Sequence, residues 1–160
     1  MGAVEVDLEQ RRAANCSIAA TLELVGEKWT LLILREAFFG VRRFEDIQRG
    51  VGCARNLLSA RLGKLVEHGI LDREPYREPG RRQRYEYRLT VKGKELFPVV
   101  VALMDWGDRW AVGESGPPVE IRHRGCDTSV HAKLTCDGGH SDLTARDTYG
   151  VVSESMKLAG

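Results

Sequence analysis

Three groups of side chains in this chain have the types and spacing to do chemistry. The first lies on the segment from about Ala54 to His68. At 100° per residue, Ala54, Leu57, Leu58, Leu62, Leu65 and Val66 fall in one arc. Asn56, Ser59, Ala60, Gly63 and Glu67 fall in the opposite arc, with Arg55 near the N-terminal end and Lys64 on the flank. A face of small polar residues lets a helix backbone approach the edges of bases. Gly63 costs such a helix roughly 1 kcal/mol relative to alanine, a cost easier to understand at a contact surface than on an idle one. Arg61 falls inside the apolar arc, so it is expected to be structural or to turn toward a carboxylate. The second group is Arg81, Arg82 and Arg84, just after the turn signal Glu78-Pro79-Gly80. Three arginines at a hairpin tip suit a polyanion, a merely solvated surface being the plainer reading.

The third group is His123-x2-Cys126-x9-Cys136-x3-His140. Two sulfur and two nitrogen donors are a set that tetrahedral zinc accepts, and a metal can organise a segment without a core. A small metal-free β-extension is the reading favoured here. Catalytic spacing is lacking: the chain has no Gly-x-Ser-x-Gly, no Walker glycine loop, no HExxH and no paired carboxylates among aromatics. A non-enzyme is expected.

Charge supports the first two groups. From Gly40 to Glu95 there are 14 basic and eight acidic residues, a balance of +6, against −2 for residues 1–39 and −3 for residues 96–160. The whole chain carries only +1, so the positive charge is concentrated where phosphates would be met. At 160 residues there is room for one core. The apolar runs near Leu31 and Val100 are too short to span a bilayer. The N-terminus opens acidic and lacks an apolar h-region, so no signal peptide is read and a cytoplasmic location is expected. The four cysteines (Cys16, Cys53, Cys126 and Cys136) are too widely spaced for a small disulfide framework.

These groups need elements to position them. Residues 1–14 read as a flexible lead. A helix is predicted from Asn15 or Ser17 to Gly26, then a strongly apolar one with Trp29, Leu31, Leu32, Ile33 and Leu34, ended by Gly40. Phe44, Ile47 and Val51 mark a short helix, with Gly50 and Gly52 as its turn. The Ala54–His68 helix follows, with Gly69 closing it. Strands are predicted from Ile70-Leu71 and over Tyr85–Leu89. Thr90 can cap a last helix running through Trp110, with Pro98 in its second turn as a kink. That helix is too apolar for the end of a small monomer, so part of it is expected at a subunit interface. Residues 113–160 read as a polar C-terminal extension, with a pair of short strands in the stretch IRHRGCDTSVHAKLTC and a loose last dozen residues.

Helix, turn, helix and basic hairpin in that order are the layout of a winged helix-turn-helix. The motifs GEKWTLLILREAFFGVRRFEDI, NLLSARLGKLVEHGIL, YEYRLTVKGKEL and DWGDRW go further. Over about Cys16 to Trp110 the chain resembles the HxlR family of winged-helix transcription regulators, relatives of the MarR type. The resemblance implies an α+β, mainly α, fold with dimerisation helices over residues 15–112. It implies a homodimer held by the first and last helices, on an inverted-repeat operator with half-sites about 34–36 Å apart. By the same resemblance Arg55, Asn56 and Ser59 reach base edges with Lys64 nearby. Arg81, Arg82 and Arg84 enter the flanking minor groove or clamp phosphates, and Arg42 and Arg43 add phosphate contacts. Such proteins repress or activate genes by occupying a promoter.

Three further expectations attach to the resemblance. Cys16 stands where relatives carry a cysteine that in some members senses electrophiles or oxidants. A helix dipole favours a thiolate there, whereas Ser17 in place of the usual proline argues for a packed, inert thiol. Trp29, Trp106 and Trp110 read first as core packing and second as a pocket for a small aromatic effector. In relatives, extensions of this look carry HxxC followed by CxxC. Here Gly139 holds the last cysteine's place, so the segment reads as a zinc ribbon that has kept its hairpin and lost its metal. The alternative to a DNA-binding regulator is a winged module that binds only protein, for which the arginine tip would be superfluous.

Overall fold

A computed structural model describes residues 16–114 and 116–151. The expected lead (1–14) and most of the last dozen residues lie outside the described residues. Among the described residues, six helices and two strands follow in the order α1 (Ser17–Val25), α2 (Lys28–Phe38), α3 (Phe44–Val51), α4 (Arg55–Glu67), β1 (Leu71–Tyr76), β2 (Arg84–Leu89), α5 (Val91–Lys94) and α6 (Phe97–Trp110). The fold is mainly helical with one small antiparallel sheet, a winged helix-turn-helix. Two compact units divide the described residues: Leu22–Ala132, and a second to which 16–21 and 133–151 belong.

The core of the larger unit is built from the apolar arcs read above. Ile33 and Leu34 of α2, Ile47 of α3, and Leu58, Leu62 and Leu65 of α4 are buried with Ile70, Leu71 and Val100. Burying each such side chain is worth roughly 1.5–3 kcal/mol relative to exposing it, which holds three short helices together that would not persist alone. Gly52 ends α3 at φ 75°, and Gly69 follows α4 at φ 66°, both in the left-handed region that glycine enters without strain. His68 is the C-cap of α4, and its carbonyl accepts from Lys92 Nζ at 2.8 Å.

The wing is an antiparallel pair running from Leu71 opposite Leu89 to Tyr76 opposite Arg84. Glu78 O accepts from Arg81 N at 3.0 Å, with Pro79 and Gly80 (φ 74°) between them. Proline then left-handed glycine are the residues a type II turn requires. Glu74 and Glu86 face each other across the sheet, and Arg88 pairs with both. A contribution from outside the hairpin completes it: Arg43 bridges to Glu86, and Arg42 O accepts from Tyr87 N at 2.8 Å. The strand leading into α3 is thereby stitched to the wing.

The last helix differs from its prediction. The chain forms two helices, α5 and α6, broken at Glu95-Leu96. Pro98 sits in the first turn of α6, where its missing N–H costs nothing, and so starts a helix and does not kink one. Thr90 caps α5 as expected: its Oγ1 accepts from Gly93 N at 3.0 Å and donates to Gly69 O at 2.7 Å. A Cβ at Gly93 would stand 2.2 Å from Ile70 O, so only glycine lets α5 lie this close to the start of β1. The expected strand pair in the extension is reduced to single bridges, Arg122 with Ser129 and Thr135 with Ser141.

Candidate nucleic-acid interface

The two arcs of α4 are separated as its periodicity requires, except that Ala54, expected in the apolar arc, is the N-cap and exposed. Leu58, Leu62 and Leu65 are buried, whereas Arg55, Asn56, Ser59, Ala60, Gly63, Lys64 and Glu67 are exposed. A Cβ at Gly63 would meet nothing within 4 Å, so no packing inside the chain demands glycine there. Arg61, half-buried, turns to Glu27 in an ion pair and is structural, as its place in the apolar arc implied. Its Nε is buried without a partner in the described residues.

α3 is set against α2 by a polar tie. The carboxylate of Glu36, a buried residue, is held by Arg35. Arg35 Nη2 also donates to Gly50 O at 3.2 Å. A Cβ at Gly50 would come within 2.4 Å of Glu36 Oε2, so the end of α3 closes down on that carboxylate.

The cations assigned to DNA fall into two classes. Arg55 lies over the Phe44 ring, 4.6 Å from its centroid, with Nη2 3.8 Å from Glu45 Oε1. Arg43 lies over Tyr76 at 4.7 Å and donates to Glu78 Oε1 at 2.9 Å. Arg81 Nε is 3.7 Å from Glu78 Oε2. Arg42, Lys64, Arg82 and Arg84 are exposed, and none has an ion pair among the described residues. Sequence reasoning missed Glu78 and Glu45, because Arg43 and Glu78 are 35 residues apart and Arg55 and Glu45 lie on different helices, so neither pair leaves a local signature.

The arrangement offers a helix face of short polar side chains beside a hairpin with a cationic tip. The HxlR-like helix-turn-helix family matches residues 24–115, more than half of the chain. The chain belongs to that family. A helix-turn-helix transcription regulator of Mycobacterium tuberculosis, itself uncharacterized, is 49% identical over 131 residues, 82% of each chain. One of Synechocystis is 39% identical over 101 residues, 62% of this chain and 73% of that one. Among solved structures, PA1607, a candidate transcription factor, superposes with TM-score 0.75 at 39% identity over 88% of this chain and 96% of its own. The reduced form of the redox regulator HypR gives 0.54 at 28% identity over 59% and 92%. This HxlR-family chain is thus a helix-turn-helix transcription regulator. No helix among the described residues is long and apolar enough to cross a membrane.

The remaining candidates are dispersed over the regulator. Cys16 stands immediately before α1, half-buried, and its carbonyl accepts from Ala20 N at 3.0 Å. Cys53 is buried in the core. Trp29 packs against the core, with Lys28 over its ring, but Trp106 and Trp110 of α6 are 65% and 69% exposed. In the extension, His123 Nδ1 and Cys126 Sγ are 3.3 Å apart in one tight turn. Thr128 hydrogen-bonds the Cys126 thiol and draws its pKa below the ordinary value. In another turn Cys136 Sγ and His140 Nδ1 are 3.2 Å apart. No group of three or more His, Cys, Asp or Glu side chains is gathered as for a metal among the described residues.

Proposed function

We propose that this regulator acts as a homodimer that reads an inverted-repeat operator in double-stranded DNA. The observation that carries the reading is the exposed face of α4, where Arg55, Asn56, Ser59 and Lys64 stand opposite the buried leucines. Arginine can read guanine and asparagine adenine by paired hydrogen bonds, so these residues are assigned to base edges. Arg42, Arg43, Arg81, Arg82 and Arg84 are assigned to phosphates or the minor groove.

The dimer is supported by α6. Val99, Leu103, Trp106 and Trp110 follow at spacings of four, three and four, a stripe along one helix face, and all are between 44% and 69% exposed. The opposite face, with Val100 and Met104, packs on the core. On α1, Ile18 and Leu22 are likewise exposed. Two copies joined through such faces would present two α4 helices to successive major grooves. Control comes from a small aromatic effector stacking on Trp106 and Trp110, or from an electrophile or oxidant reacting at Cys16. Likeness to a redox regulator supports the second.

A metal-free extension is the favoured reading, and zinc held by the two Cys/His turns is the second. Bonds of about 2.0–2.3 Å at a tetrahedral centre put N and S about 3.5 Å apart, close to the separation within each turn. Zinc content of the purified chain, falling in C126S and in C136S, tests this; a chain free of zinc after growth with added metal contradicts it.

The test of function is a salt-series binding assay with the chain's own upstream DNA beside a scrambled duplex, reduced and then treated with a mild electrophile. Preference for the upstream fragment supports the reading, and its loss on treatment, absent in C16S, supports the role of Cys16. Binding of neither duplex at any salt favours a module that binds only protein.

A further inference from the structure

We propose that Glu78 is a charge-masking residue of the DNA face, a carboxylate that holds two of its own phosphate-contacting arginines until phosphates displace it. The proposal rests on the DNA-binding reading above. Glu78 belongs to the type II turn that follows β1. One oxygen, Oε1, accepts from Arg43 at the start of α3, and the other, Oε2, faces Arg81 at the wing tip. Arg43 is steadied further by lying over the Tyr76 ring, and the turn backbone by Arg77 Nε, which donates to Arg81 O at 3.3 Å. A single carboxylate thus joins the helix-turn-helix to its wing and lowers the charge of the cluster from +2 to +1.

Any duplex that engages Arg43 and Arg81 must compete with a carboxylate already in place. A duplex that also satisfies Asn56 and Ser59 bears the same cost and offsets it with its base contacts. Arg42, Arg82 and Arg84 lack such a counter-charge among the described residues and supply the first, sequence-blind attraction. Glu78 therefore lowers total affinity and the salt dependence of binding.

The experiment compares wild type, E78Q and E78D on a random-sequence duplex and on the best duplex recovered by selection from random DNA, each over a salt series. In E78Q, random DNA should bind about two- to fivefold tighter for each freed arginine, the fold-change of an exposed ion pair. The slope of log K against log salt should steepen by about 0.9 for each additional phosphate neutralised. The selected duplex should tighten at least as much, and E78D, which keeps the charge, should stay near wild type. A merely structural role would lower the melting temperature in a thermal melt run beside the assay, weaken both duplexes and leave the random-DNA slope unchanged. E78Q with wild-type slope and wild-type random affinity overturns the proposal while leaving DNA binding intact. Wild type that binds neither duplex at low salt overturns the DNA-binding reading, and this role with it.

Discussion

Among the described residues, all thirteen buried apolar ones lie between Val25 and Val101, whereas none from Gly116 to Val151 is buried. The first region is held by apolar packing and the second by local polar ties. In the extension, Ile121 and Val130 pair by backbone, as do Leu134 and Leu143, each around a turn that carries a cysteine and a histidine. Asp127 and Asp142 turn the chain at φ 54° and 58°, conformations that aspartate tolerates better than most residues. Asp147 accepts from both Thr144 N and Thr144 Oγ1. Packing survives when any one hydrogen bond is broken, while a segment without a core depends on each of its own. The family match ends at residue 115, where the core has already ended.

That contrast can be broken from the core side first. Leu62→Ala, at a fully buried position on α4, should cost about 2–5 kcal/mol of unfolding free energy by urea titration. A cost under about 1 kcal/mol would mean that α4 is not anchored as described. Gly93→Ala should cost about 1–3 kcal/mol, because the added methyl meets the Ile70 carbonyl and not a mobile side chain. The same change at Gly63, where nothing lies within reach, should be neutral or slightly stabilising, and the two melts together check the assignment.

From the extension side the effects are smaller and local. Asp105 of α6 accepts from Ala132 N at 2.7 Å and pairs with His131 Nδ1 at 3.0 Å, both within the larger unit. Partial burial pushes its pKa up. The hydrogen bonds from His131 and from Ala132 N–H, with the charges of His131 and Arg109, outweigh this and leave it below the ordinary 3.8. A lowered carboxylate contributes fully at neutral pH and loses that contribution as pH falls through its folded value, so this tie should release below about pH 3.8. Asp105→Asn should speed amide exchange at Ala132 while moving the global melt by under about 0.5 kcal/mol. Unchanged exchange would mean that Asp105 does not hold the segment.

The same contrast explains what was legible beforehand. α3 and α4 were readable to within a residue or two, because Gly52 and Gly69 punctuate them and because buried leucines recur at helical spacing. The outward face of α4 followed from the inward one, and Arg61 was placed by the arc it interrupts. The break at Glu95-Leu96 was missed although Pro98 signalled it, since proline marks a helix start as readily as a kink. The pairing of Arg42 and Arg43 with the wing, and the grip of Glu78 on Arg43, depend on residues brought together by the fold and leave no periodic trace. The extension, with no apolar arc to bury, offered only the spacing of its cysteines and histidines.

The central claim is that α4 reads bases while the wing holds phosphates, and one binding experiment separates these roles. Wild type, Asn56→Ala and the Arg82→Ala/Arg84→Ala double variant would be titrated with the selected duplex and with single-base variants of it, over a salt series. Asn56→Ala should lose about 1–3 kcal/mol on the selected duplex, relax discrimination at particular base pairs and leave the salt slope unchanged. The double arginine variant should weaken every duplex alike and flatten the slope by about 0.9 for each phosphate it no longer neutralises. Equal, sequence-blind losses from both would contradict the assignment of α4 to base reading.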